Sequence, residues 1–126
     1  MLTVRTVIGP SAISGTGLFA GENIPKGTVV WKFNPTLDIS LTKEEVKELA
    51  APAQKQFYNY SYMDPETEKY ILCGDDARFF NHADDPNCDD SKRDTTLALR
   101  DIPEGEELTV NYRTFIGNLD MHPDIF

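Results

Sequence analysis

The sequence predicts a mainly-β fold of the α+β kind on three observations. Short runs rich in β-branched and aromatic residues recur along the whole chain, glycine- and proline-containing turns separate them, and only one stretch carries helical periodicity. The first run, residues 2–8, reads as a strand that Gly9-Pro10-Ser11 should break. Gly15 and Gly17 bracket a turn before Leu18-Phe19-Ala20, and Pro25-Lys26-Gly27 turns the chain into a second strand over residues 28–33. Thr42-Lys43-Glu44-Glu45 fits a helix-capping box, and Val46, Leu49, Ala50, Ala53 and Phe57 follow at helical spacing, an insert over about residues 42–58. Pro52 should divide this insert into two short helices, because its ring clashes with the preceding turn of a continuous helix but suits the first turn of a new one. Tyr58, Tyr60 and Tyr62 alternate, which suggests a strand with three phenols on one face. Residues 70–73, 95–100 and 107–110 complete the strand pattern, the last run following the turn Ile102-Pro103-Glu104-Gly105.

The 126 residues support one domain, and 40% hydrophobic content is enough for one core. Two cysteines, Cys73 and Cys88, are too few for a disulfide framework and lack paired zinc-ligand spacing, so reduced thiols and no metal are expected. No apolar run approaches a membrane span and the first residues do not resemble a secretory signal, so the expected location is the cytoplasm, with the nucleus left open. A net charge of -9 repels phosphate backbones and attracts cationic partners, which argues against direct nucleic-acid binding and for a basic protein or peptide. The aspartates Asp84, Asp85, Asp89 and Asp90 do not form an EF-hand loop, since glycine is absent from the sixth position and threonine occupies the bidentate acidic position.

Three segments carry more information than these patterns. Gly15-Thr16-Gly17-Leu18-Phe19-Ala20, then Arg78-Phe79-Phe80-Asn81-His82-Ala83-Asp84-Asp85-Pro86-Asn87, then Glu107-Leu108-Thr109-Val110-Asn111-Tyr112 resemble the three signature motifs of SET-domain lysine methyltransferases, in that family's order. The resemblance covers roughly residues 4–115 and implies a single SET domain over residues 1–126, a β-clip-like fold of several short sheets. It also implies a pseudoknot, in which the C-terminal stretch threads under an earlier loop; threaded connections are rare enough that general rules of topology would exclude one.

The implied activity is methyl transfer from S-adenosylmethionine to a lysine side chain of a protein. Such a displacement needs an uncharged amine aligned with the methyl group of a sulfonium, so positioning and a shaped polar cavity supply most of the acceleration. The resemblance assigns Tyr112 as the catalytic residue, orienting the amine or the methyl group rather than acting as a base, because a phenol of pKa about 10 is mostly protonated near neutral pH. It assigns cofactor binding to Gly15, Thr16, Gly17, Leu18, Arg78, Asn81 and His82 together with Tyr112. Tyr58, Tyr60 and Tyr62 are candidates for the wall of the substrate channel, since aromatic faces hold an amine or ammonium, and Asn87 is expected to stabilise its loop by side-chain-to-backbone bonds.

The chain departs from the family pattern at three points. Asn81-His82 is followed by Ala83-Asp84 where Ser-Cys is common, and Asp90 falls where some members carry a channel aromatic that helps decide how many methyl groups are added. The zinc-binding cysteine-rich extension is missing, so the tail over about residues 113–126 is expected to cover the channel through Phe115, Leu119 or Phe126, or a second copy of the chain in a homodimer completes it. The alternative function is a SET-like binding module with little turnover; the presence of Tyr112 and both glycines argues against it.

Overall fold

The computed structural model describes residues 1–92 and 94–114. Its order is β1 (Thr6–Pro10), β2 (Thr16–Ala20), β3 (Val29–Lys32), β4 (Ile39–Leu41), α1 (Lys43–Lys47), α2 (Ala51–Tyr60), β5 (Tyr62–Met63), β6 (Tyr70–Leu72), β7 (Asn81–His82), β8 (Cys88–Asp89), β9 (Thr95–Ala98) and β10 (Thr109–Val110). Single 3-10 turns cover Asp76–Phe79 and Tyr112–Thr114. The strands form four small sheets: β1 with β2, β3-β9-β8, β4-β6-β5, and β7 with β10. The mainly-β reading therefore holds.

The first predicted strand divides. Residues 1–3 run beside β3, with Leu2 bridged to Trp31 and the Thr3 amide donating to the Val30 carbonyl at 3.0 Å, whereas residues 6–10 pair with β2. Gly9 and Pro10 do not break the strand; they pair with Gly17 and Thr16. The Gly21 amide bonds the Arg5 carbonyl and the Ser11 amide bonds the Gly15 carbonyl, so odd-numbered residues of this arm direct their backbone groups at β2. Pro10 is even-numbered, and its missing donor faces outward, the arrangement in which an edge strand tolerates proline.

Both halves of the helical insert follow the predicted chemistry. Thr42 Oγ1 accepts from the Glu45 amide at 3.1 Å and Glu45 Oε1 accepts from the Thr42 amide at 2.9 Å, and proline occupies the first turn of α2. The tyrosine reading needs correction. Helix α2 runs on to Tyr60, and the Ser61 amide and hydroxyl both donate to the Phe57 carbonyl to finish it. Tyr58 and Tyr60 are therefore about 200° apart around a helix rather than aligned on a strand, and of the three only Tyr62 is in β5. Tyr58 packs edge-on against Tyr70 at 6.0 Å, beside the cluster of Val46, Phe57 and Leu72 that fixes the helices to the β4-β6-β5 sheet.

The main core gathers Leu18, Ile24, Val30, Cys88, Ile102 and Leu108, each at most 1% exposed. Ile24 and Ile102, which open the two similar Ile-Pro segments, exchange backbone bonds in both directions at 2.8 Å. A register shift between Val29 and Trp31 bends β3. Consecutive side chains are both buried as a result: Val30 enters the main core, while Trp31 joins Cys73 and Ala77 in a second cluster.

Strands β7 and β10 are parallel, with Thr109 opposite Asn81 and Val110 opposite His82. Asn87, 3% exposed, clamps the loop that follows β7 onto the last strand. Its Nδ2 donates to the Glu107 carbonyl at 2.7 Å, its Oδ1 accepts from the Thr109 amide at 2.8 Å, and its own amide donates to Thr109 Oγ1 at 3.1 Å. The side-chain-to-backbone bonding expected of Asn87 is present, and it joins two segments that the sequence separates by about twenty residues.

Leu18→Ala should destabilise the chain by ~2–5 kcal/mol in urea unfolding, because the site is fully enclosed and cannot collapse. Stability should also decline with alkali. Burial pushes the Cys73 and Cys88 thiols from 9.0 up to about 12, so the folded state keeps protons that the unfolded chain loses. Their contribution is complete below pH 9 and is lost as pH rises from 9 towards 12; urea midpoints at stepped pH should show the decline, and Cys88→Ala should shallow it.

Candidate functional site

A cavity of about 310 Å³ lies where the β1-β2 turn, the end of α2, the loop before β9 and the 3-10 turn after β10 converge. Gly15 and Thr16 form one wall; Tyr60 and Tyr62 another; Arg78, Phe80 and Asn81 a third; Asp90, Asp94 and Tyr112 close the remainder. Of the residues singled out from sequence, Gly15, Thr16, Tyr60, Tyr62, Arg78, Asn81, Asp90 and Tyr112 thus meet around one space. Gly17, Leu18, Tyr58 and His82 do not line it, and Phe115 lies outside the described residues.

Tyr112 reaches this position because β10 ends there and a 3-10 turn rotates its side chain back over β7. Its hydroxyl donates to the Phe80 carbonyl. Burial raises the phenol to about 12, with the carboxylates of Asp90 and Glu107 adding to the effect. The hydroxyl is therefore a protonated donor throughout the neutral range.

His82 serves Tyr112 through its ring rather than facing the cavity. Nδ1 accepts from the Tyr112 amide at 3.0 Å and Nε2 sits 2.9 Å from Asp84 Oδ1, which places the proton of the neutral ring on Nε2. Asp84 also receives Arg113 Nη1, and that contact, followed by the His82 bond, holds its carboxyl below the ordinary carboxylate value. The aspartate at position 84, a departure from the family pattern in the sequence, is thus built into the support of the tyrosine.

Asn81 donates through Nδ2 to the Ser14 carbonyl at 3.0 Å, the Thr16 carbonyl at 3.3 Å and Glu107 Oε2 at 2.9 Å. Gly15 adopts φ +47°, the left-handed region that glycine enters without steric cost, and the space beside it is open. Gly17 is small for an internal reason: a Cβ there would stand 2.6 Å from Glu107 Oε2. Leu18 is a core residue, 0% exposed. Arg78 lines the cavity and also anchors its own loop, since Nη2 donates to the Cys73 carbonyl at 3.0 Å.

Sequence reasoning missed Trp31, Asp64 and Asp94 on the cavity wall, and Ser11 and Glu107 behind it. Trp31 meets Tyr62 edge-on at 6.1 Å, and its buried indole N–H has no hydrogen-bond partner among the described residues. Its alternation with Val30 would have assigned one of the two to solvent, and only the register shift in β3 buries both. Among the described residues, the wall carries three carboxylates, Asp64, Asp90 and Asp94, against one cationic side chain, Arg78. Desolvation also raises the Tyr62 hydroxyl above its ordinary value, so the second phenol is neutral too. The space therefore combines neutral phenols, aromatic faces and a negative field, a donor set suited to organic cations.

The model of the SET domain matches residues 15–113. The chain is 34% identical to an H3 lysine-4-specific histone-lysine N-methyltransferase of Chaetomium globosum over 90% of its own length, and 31% identical to human histone-lysine N-methyltransferase 2B over 82%. It spans only 11% and 4% of those two relatives. Among solved structures, the Neurospora SET-domain protein DIM-5, a histone lysine methyltransferase, superposes with a TM-score of 0.57 at 24% identity, covering 88% of this chain and 53% of that one, a likeness of fold. With the three motifs in order, the short-sheet architecture and a match across most of its length, the chain belongs to the SET-domain family.

Proposed function

We propose that the chain transfers a methyl group from S-adenosylmethionine to the side-chain amine of a lysine in a basic protein. The observation that carries this reading is the protonated Tyr112 hydroxyl held at the wall of an acidic, aromatic cavity, beside Asn81 and the Gly15 turn. The cavity fits the implied cofactor in chemistry. Its three carboxylates and aromatic faces suit a cationic donor, and the Gly15 turn and Asn81 bring polar groups to the same space. Bound there, S-adenosylmethionine would supply a methyl group on a positively charged sulfonium.

The chain's own residues perform the rest. Tyr112, fixed by the His82 ring and the Phe80 carbonyl, presents a hydroxyl that orients the reacting groups and cannot serve as the base. Tyr60, Tyr62 and Trp31 exclude water and offer ring faces to the amine. Asp64, Asp90 and Asp94 draw the ammonium in, while burial beside another cation favours loss of its proton. The substrate class follows from the same field: relatives are named for histones, and a net charge of -9 complements lysine-rich proteins of that kind. The comparisons give the cytoplasm no support, and a histone-like substrate would place the chain in the nucleus.

Incubation with labelled S-adenosylmethionine and a panel of lysine-rich proteins should label lysine, and Tyr112→Phe should lower the rate about a hundredfold or more. Cofactor binding without transfer by the native chain would overturn the catalytic reading. The rate should rise with pH as the substrate amine deprotonates, with no fall from the phenol until the region of pH 12, because Tyr112 keeps its proton below that value.

A further inference from the structure

Behind the glycine turn lies a carboxylate that does not itself line the cavity. Glu107 begins the last motif, is half-buried, and has no lysine or arginine partner among the described residues. Its charge is held by neutral donors: Ser11 Oγ is 2.8 and 2.9 Å from its two oxygens and Asn81 Nδ2 is 2.9 Å from Oε2. Ser11 in turn accepts from the amides of Ile13 and Ser14 at 2.9 and 3.2 Å. Asn81 reaches the carbonyls of Ser14 and Thr16 from the other side. One carboxylate therefore anchors both groups that grip residues 13–16, and the absent side chain of Gly17 leaves the room it occupies.

We propose that Glu107 is the positioning residue of this site, holding the Gly15 turn and the Asn81 amide in place so that the cofactor wall is set before a ligand enters. The claim rests on the reading that the cavity binds the methyl donor. Its physical basis is that hydrogen bonds to a carboxylate are about twice as strong as neutral ones, so two such anchors can order a turn that has few apolar contacts of its own. The backbone of Glu107 contributes independently, bridged to Phe19 and accepting Asn87 Nδ2 through its carbonyl, and these contacts survive a change of side chain.

The test uses Glu107→Gln, which preserves shape but confronts the Ser11 and Asn81 donors with an amide that accepts through one oxygen only. Amide hydrogen exchange in the unliganded chain should accelerate about tenfold at residues 13–17 and little elsewhere, as expected for a loss of ~1.4 kcal/mol of local order. Calorimetry with S-adenosylhomocysteine should show affinity weakened about tenfold, and turnover should show a raised KM for the donor with kcat changed far less. Ser11→Ala, which removes one anchor from outside the strand, should give the same pattern more weakly and serves if the Glu107 variant does not fold. Unchanged exchange at residues 13–17 in the folded variants overturns the proposal. A native chain that binds no S-adenosylhomocysteine overturns the reading of the cavity instead, and exchange still decides whether Glu107 holds the turn.

Discussion

A parallel contact only two residues long organises this molecule. Asn81 and His82 lie beside Thr109 and Val110, and neither segment could form a site alone. Parallel strands cannot be joined by a tight turn, so the chain must travel through β8 and β9 before returning. That detour provides the loop whose Asn87 clamps β10, and the main core beneath supplies the cohesion that so short a ladder lacks. Tyr112 follows directly from β10, which makes its place above Phe80 a consequence of the pairing.

The cavity sits between packed regions rather than within one. The irregularity in β3 sends Val30 into the main core and Trp31 into the cluster with Cys73 and Ala77. Helix α2 enters from the third cluster and ends at Tyr60, which meets Phe79 edge-on at 5.8 Å. Each wall is therefore attached to a different body of buried side chains. The polar residues between them are joined by specific bonds, His82 to Tyr112 and Asn81 to the glycine turn, so the geometry does not depend on loop rigidity alone.

Local chemistry made the helical insert and most strands legible in the sequence. Thr42 and Glu45 marked a cap, Pro52 marked a second helix start, β-branched runs marked β3 and β9, and a short apolar run marked β6. Reading failed where tertiary contacts decided the outcome: Pro10 is tolerated because its neighbour lies on the other side, and Tyr58 and Tyr60 are helical despite alternating with Tyr62. Strands β4, β5, β7 and β8 are only two or three residues long, too short to carry periodicity. The motif resemblance located Gly15, Asn81 and Tyr112 near one another, but it offered no means of foreseeing that Trp31 and Asp64 complete the same wall or that the His82 ring turns towards Tyr112.

The outward-facing Pro10 also bears on colloidal behaviour. Val7 and Ile8 are 59% and 45% exposed on a ribbon whose far margin pairs with no other strand among the described residues, the kind of border on which foreign chains can accrete into fibrils. A ring nitrogen at the end of that border offers an incoming strand no proton. The growing ladder loses a rung where it would begin, so the ribbon can display apolar side chains without acting as a template.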